Sequence, residues 1–209
     1  KYNIKAIEIA KDIVGEKSFH MSPLYYNLAF VYNSTRQFDE SLKYHDLALE
    51  IMYESVDSNH IDIGLSYHAI ANTYRDSGLY KLSLEYVSKA INLYELNKLD
   101  ISHAYYNAAI RNQGLTYLKI GFFERARRNF EIYERNAPNS IKAYQNWIVY
   151  FSMLNEKENA ITNLKKAISI GFDDFDWLKT EKDISYIITD RELQKVIKKL
   201  EKSNKKKKE

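Results

Sequence analysis

The sequence predicts an all-α fold built from repeated helix pairs. Three observations carry that prediction. Four segments of the chain align on one template, so the architecture is internally repetitive. Apolar residues recur at helical spacing: Tyr67, Ile70, Ala71 and Tyr74 lie on one face of a helix. Only six Gly and two Pro occur in 209 residues, too few turn-formers for a β-sandwich or barrel.

Residues 1–14 come first. KAIEIAKDI aligns with LALEIMYES of the next unit and pairs Ala6 with Ala48. This stretch therefore reads as the second helix of a repeat whose first helix lies upstream, and the chain as a piece of a longer array. Its apolar stripe, Ile4 and Ile7 among others, is expected to be exposed. Four units follow: YYNLAFVYNSTRQFDESLKYHDLAL (25–49), YHAIANTYRDSGLYKLSLEYVSKAI (67–91), IRNQGLTYLKIGFFERARRNFEIYE (110–134) and YQNWIVYFSMLNEKENAITNLKKAI (144–168). They are offset by 42, 43 and 34 residues. An aromatic holds one register position (Tyr32, Tyr74, Tyr117, Phe151), and a small residue follows nine later (Ser41, Ser83, Ala126, Ala160). Gly78 and Gly121 break the second and third units into two helices each. Ala29, Ala71 and Gly114 on the first helices face Ala48 and Ala90 on the second, where only small side chains let two axes approach.

This pattern resembles the tetratricopeptide repeat. Pro138 matches the family's Pro at the end of a unit, and the 42-residue spacing resembles the longer, kinesin-light-chain style. His60-Ile-Asp-Ile and His103-Ala-Tyr-Tyr stand where that style carries His-Pro-Asp. Departures are Tyr133 and Ile148 at small positions, and His45 and Val87 at aromatic ones; they point to irregular packing between the third and fourth units. The resemblance implies a right-handed superhelix with a concave face lined by the first helices. It organises the chain as an array over 1–170 (partial repeat 1–15, repeats about 22–56, 61–98, 102–138 and 140–170), a capping segment over 171–201, and a disordered lysine-rich tail over 202–209. The capping segment, with Gly171, Asp174, Asp176 and Leu178, resembles the one that closes many bacterial arrays. Phe172, Phe175, Trp177 and Leu178 are expected to cover the last repeat, with Asp190 capping a final helix from Arg191 to about Lys202.

Composition excludes several functions. Net charge is +3, yet the tail holds five Lys and one Glu, so the preceding 201 residues sum to −1. Nucleic-acid binding by the body is disfavoured, because such a body carries its own basic stripe. A nucleic-acid or membrane-surface anchor could act only through the tail. No apolar run is long enough to span a membrane. Cys is absent, which excludes disulfides and thiolate chemistry and fits the cytoplasm. No phosphate-binding loop or nucleophile elbow occurs, so neither an enzyme nor a cofactor is expected. The five His lack metal-ligand spacing. Asp173, Asp174 and Asp176 suit helix capping better than a calcium loop. Arg125, Arg127 and Arg128 are interleaved with Glu124 and Glu131, as on a solvated face. The 18 Tyr mostly occupy repeat core positions rather than a stacking platform.

The expected binding surface follows from the register. The inward positions are Tyr26, Asn27, Phe30 and Asn33 in the first unit, and His68, Asn72 and Arg75 in the second. Arg111 and Asn112 follow in the third, and Lys142, Gln145 and Asn146 in the fourth. Asn27, Asn112 and Asn146 share one position and could pair with the main chain of an extended peptide. Arg75 and Arg111 could grip a carboxylate, and no Asp or Glu belongs to the set. The expected function is a non-enzymatic scaffold that holds an extended peptide, acidic or C-terminal, or a partner helix. A second reading is a sensory array of a larger bacterial signalling protein that binds a signal peptide or its own output domain. The family's carboxylate clamp is not reproduced, since its Lys-then-Asn pair falls on Tyr26 and Phe30. A small-molecule substrate is not expected.

Overall fold

The computed structural model describes residues 2–191, 193–195 and 197–198, and of residues 2, 3, 175 and 186 the backbone only. The chain divides into two compact units, Lys1–Asn129 and Phe130–Glu209. The division falls inside a helix, close to the departure at Tyr133. The expected lysine-rich tail and the end of the closing helix lie outside the described residues.

The first unit is a row of helices: α1 (Tyr2–Val14), α2 (Met21–Ser34), α3 (Phe38–Ser55), α4 (Ile61–Asp76), α5 (Tyr80–Leu96), α6 (Ala104–Lys119) and the start of α7 (Phe123–Asn136). From α1 to α6 each helix packs on the next, and α2 also meets α4, as α4 meets α6. The first helices of successive pairs therefore lie side by side, with α3 and α5 behind them.

Local chemistry sets the ends of these helices. Nδ1 of His60 accepts from the Asp62 amide at 3.3 Å, and Nδ1 of His103 from the Tyr105 amide at 3.4 Å. The two His that align with the family's entry motif are thus N-caps, a role usually filled by Ser, Thr, Asp or Asn. Between the helices of a pair the chain turns through left-handed backbone, at Gly78 (φ 87°) and Gly121 (φ 80°). The aligned residues Arg36 (φ 62°) and Asn155 (φ 59°) take the same conformation with a side chain attached.

Packing repeats with the same period. Ser41 Oγ donates to Ala29 O at 2.9 Å and lies 3.2 Å from Thr73 Oγ1 in the next pair; one repeat on, Ser83 lies 3.1 Å from Thr116. Tyr44 stacks on Tyr32 at 5.5 Å, and the aligned Tyr86 packs on Tyr74 at 5.3 Å. In the third pair Asn129 replaces that Tyr and donates instead to Ile110 O and Gln113 Oε1, both at 3.0 Å. Arg125 lies over the rings of Tyr117 and Phe122, each at 5.5 Å. At the front, Ile7 is 6% exposed, buried with Met21, Tyr25 and Leu28. This corrects the expectation that it faces solvent: α2 covers that side of α1, while Ile4, Ile9 and Ile13 on other sides stay exposed.

The second unit begins in α7 and continues through α8 (Ile141–Met153), α9 (Lys157–Ser169), α10 (Phe175–Thr180), a 3-10 turn (Lys182–Ile184) and α11 (Ser185–Ile188). Phe130, Trp147 and Tyr150 pack edge to face, Phe151 stacks on Trp147, and Trp147 Nε1 donates to Glu134 at 2.9 Å. Behind α9, Phe172, Leu178, Ile184 and Ile187 are buried, and the 3-10 turn packs on α8. Asp174 caps α10 through the Trp177 amide at 2.8 Å. Asp190 accepts from the Leu193 amide at 3.1 Å and pairs with Lys157 at 2.9 Å. The side chain of Phe175 lies outside the described residues. No described helix is long and apolar enough to cross a membrane.

Candidate functional site

The first-helix face of unit one carries most of the residues expected to bind. The side-by-side packing of α2, α4 and α6 brings together Tyr26, Asn27, Phe30 and Asn33 from α2, His68, Asn72 and Arg75 from α4, and Arg111 and Asn112 from α6. Lys142, Gln145 and Asn146 belong to α8 in the second unit.

A polar chain runs across this face. Asn33 Nδ2 donates to Asp76 Oδ2 at 2.9 Å, and Arg75 donates from Nη2 to Asp76 Oδ1 at 2.8 Å and from Nε at 3.1 Å. The other arm of Arg75 donates from Nη1 to Asn112 Oδ1 at 3.0 Å and reaches Asn72 Oδ1 at 3.4 Å. Arg111 Nη1 lies 3.5 Å from the same Asn112 oxygen. The Asn112 amide nitrogen then meets His68 Nε2. With its oxygen facing two guanidiniums, the Asn112 amide can only donate to His68, so the His proton sits on Nδ1. Burial lowers the His68 pKa to about 4, and Arg75 and Arg111 push it the same way, so the ring is neutral at pH 7.

This chain corrects two expectations. Asp76, the last residue of α4, belongs to the surface although the inward register passes it by. It neutralises Arg75 and takes both sides of the guanidinium fork that a ligand carboxylate would need. The shared Asn position, moreover, does three different things. Asn27 is exposed, Asn112 is held in the polar chain, and Asn146 is 1% exposed with both amide atoms unpartnered. Asn146 is therefore a buried residue rather than a surface one. Lys142 is exposed and Gln145 half-buried.

The remaining character of the face is aromatic. Phe30 is 65% exposed on α2, with Tyr26 and Val31 also exposed beside it. Tyr26 packs its ring against the buried His45 at 5.6 Å. Burial alone lowers the His45 pKa to about 4. Sequence reasoning missed Tyr105, exposed at the start of α6, and Tyr94, fully buried on α5 against Gly64 of α4. Gly64, in the first turn of α4, is the signal that could have found Tyr94. Among the described residues no group of His, Asp and Glu is placed to hold a metal ion.

Residues 20–96 match the tetratricopeptide repeat family. Solved structures share the fold at low identity. BtubC (BKLC) from P. vanneervenii aligns with a TM-score of 0.67 and 16% identity, over 96% of this chain and 84% of that one. Nearly identical TPR-like repeats assigned to a Podosopora anserina kinesin light chain align at 0.64 and 15%, over 90% and 98%. The apo form of RapI aligns at 0.63 and 17%, over 89% and 76%. A comparison with curated proteins found no match.

Proposed function

We propose that this chain, which carries tetratricopeptide repeats of the long kinesin-light-chain style, is a non-enzymatic scaffold that holds an extended peptide along α2, α4 and α6. The fold is that of protein-interaction scaffolds in general. One observation supports the finer reading. Phe30 stands 65% exposed beside a polar chain whose members already satisfy one another. An exposed apolar group on a braced polar surface gains by covering itself with a partner. The bracing means that little side-chain freedom is lost when that partner arrives. Exposed Asn27 on α2 and half-buried Asn72 on α4 offer donors and acceptors to a peptide main chain. Arg75 is neutralised by Asp76, so the surface does not select for acidic side chains there.

A random linear peptide library displayed on phage tests the reading. Peptides selected on the wild-type chain are measured against Phe30→Ser and, as a control on another face, Leu96→Ser, which is similarly exposed at the end of α5. Binding should fall at least roughly tenfold in Phe30→Ser and stay unchanged in Leu96→Ser. Selected peptides that bind both variants equally would place recognition elsewhere.

A further inference from the structure

Among the described residues nothing covers an apolar stripe on α1. Ala6 is exposed, Ile9 is 53% exposed and Ile13 75%. At 3.6 residues per turn these three fall within about 60° of one another, roughly 120° round the helix from Ile7. Ile7 is the residue that α2 buries, so the stripe looks out to one side of the α1–α2 contact.

Two of the three positions are contact positions elsewhere in the fold. Ala6 aligns with Ala48 and Ala90, which are 1% and 0% exposed where a first and a second helix approach. Ile9 aligns with Ile51, buried with Met21 and Tyr25. The third position is different. Ile13 aligns with Ser55 and Asn97, both exposed although α3 is paired with α2 and α5 with α4. A first helix covering α1 as α2 covers α3 would therefore leave Ile13 in water. The occupant of this stripe has to reach further along α1 and offer something apolar there.

The stripe itself meets that need. Successive residues rise 1.5 Å, so Ala6 and Ile13 stand about 10 Å apart along the helix with Ile9 between them. Under a two-fold axis midway between residues 9 and 10, Ile13 of one helix lies opposite Ala6 of the other, large on small, at both ends. The two Ile9 side chains meet beside the axis. A parallel pair would set Ala6 on Ala6 and leave a gap. Charge matches under the same two-fold. Lys5 and Asp12 are exposed on the flank next to Ile9, about 40–60° beyond it. The axis brings each Lys5 to within roughly 3 Å, measured along the helix, of the partner's Asp12. Glu8 lies further round the same flank, turned away from the stripe.

We propose that α1 pairs through Ala6, Ile9 and Ile13 with the same stripe of a second copy. The two helices run antiparallel about a two-fold axis, with Lys5 of each set against the partner's Asp12. This surface is separate from the face of α2, α4 and α6 proposed to hold a peptide, and stands without it. A single helix pair buries less than the roughly 1,600 Å² of a standard interface, so the dimer is weak, with a Kd on the order of 0.1 mM.

Sedimentation equilibrium of the full chain up to about 1 mM, several times that Kd, tests the pairing. The weight-average mass should rise from monomer toward dimer. Lys5→Glu and Asp12→Lys should each weaken association at least roughly fivefold, and the double variant should recover it. The two single changes move net charge in opposite directions, so a loss in both is not a general charge effect. Ala6→Trp should abolish the dimer. Ala6 is exposed in the free chain, so a purely structural role predicts no change there, and circular dichroism checks that each variant folds. Should Trp disturb α1, Ile13→Ser takes its place and should weaken the dimer at least roughly fivefold. A chain still monomeric at about 1 mM overturns the proposal, as does a dimer indifferent to the charge pair and to Ala6. A monomer that binds the synthetic peptide 20–36, the α2 sequence, and loses it in Ala6→Trp would assign the stripe to a first helix of another repeat, and overturns it too.

Discussion

Acid should unfold the first unit before the second, and two histidines set the size of the effect. His45 and His68 are neutral in the fold, with pKa values lowered to about 4 from 6.5, mainly by burial. His45 packs on the Tyr26 ring and its Nδ1 has no partner. His68 faces Asn112, Arg75 and Arg111, none of which welcomes a second proton. Because both folded values lie below the unfolded ones, the unfolded chain binds more protons between pH 6.5 and 4. Stability is therefore full above about pH 6.5 and is lost as pH falls toward 4. At about 1.4 kcal/mol per unit, each His removes about 3 kcal/mol over that window. Together they remove a sum comparable to the whole stability of a small domain. All five His lie before residue 130, so the second unit is an internal control. The assay is urea unfolding at pH 7, 5.5 and 4.5, followed by residue-resolved hydrogen exchange. The comparison is with the double variant His45→Leu, His68→Gln. Leu164 already fills the position aligned with His45 and is fully buried, while Gln keeps an acceptor for Asn112. Wild type should lose stability steeply below pH 6 in the first unit alone, and the variant should not. Parallel losses in the two proteins, or in the two units, would refute the reasoning.

The other expectations are smaller. Gly64→Ala should cost about 1–3 kcal/mol of stability, since its Cβ would meet the Tyr94 ring at 2.7 Å; thermal unfolding reads it, and Tyr94→Ala in the same chain should relieve the clash itself. Tyr94→Phe should stabilise the free protein by about 1 kcal/mol by deleting an unpartnered buried hydroxyl, as urea midpoints would show. Arg36→Gly should stabilise by about 1 kcal/mol, because Arg36 holds φ 62° where the aligned residues are Gly78 and Gly121; an unchanged midpoint would mean the turn carries no strain. Asp76→Asn should free the Arg75 fork, so that acetyl-glutamate amide binds the variant and not the wild type, as measured by chemical-shift titration.

The repeat register was legible because helix–helix distance dictates it. Ala29, Ala48, Ala71 and Ala90 are all buried where two axes approach, and the aromatics one turn away fill the space beside them. The capping roles of Asp174 and Asp190 were legible for a similar reason, since a carboxylate before a helix has few other uses. What the register could not supply is how side chains of neighbouring repeats choose partners. It names a face, not the reach of a rotamer. Asp76 lies one residue beyond the inward Arg75 and yet defines that arginine's state. The register alone gives Ile7 no partner, whereas in the fold α2 packs on that side of α1 and buries it with Met21, Tyr25 and Leu28.

The three aligned asparagines show what separates a repeat from a site. Position alone would make Asn27, Asn112 and Asn146 equivalent, yet one is exposed, one is clamped and one is buried without partners. The difference comes from what each neighbouring repeat sends toward the shared position. Arg75 and His68 reach Asn112 and fix its amide orientation, whereas neither reaches α2. The hydrogen-bonded middle of the face is therefore built by α4 and α6 together, and its exposed aromatic end by α2. A peptide held as proposed would find its polar contacts already oriented and its apolar contact, Phe30, exposed. On the proposed reading the discriminating contacts are Phe30 and Tyr26, where substitution should change which peptides bind. Substitution at Asn112 or His68 should instead change how firmly the surface itself holds together.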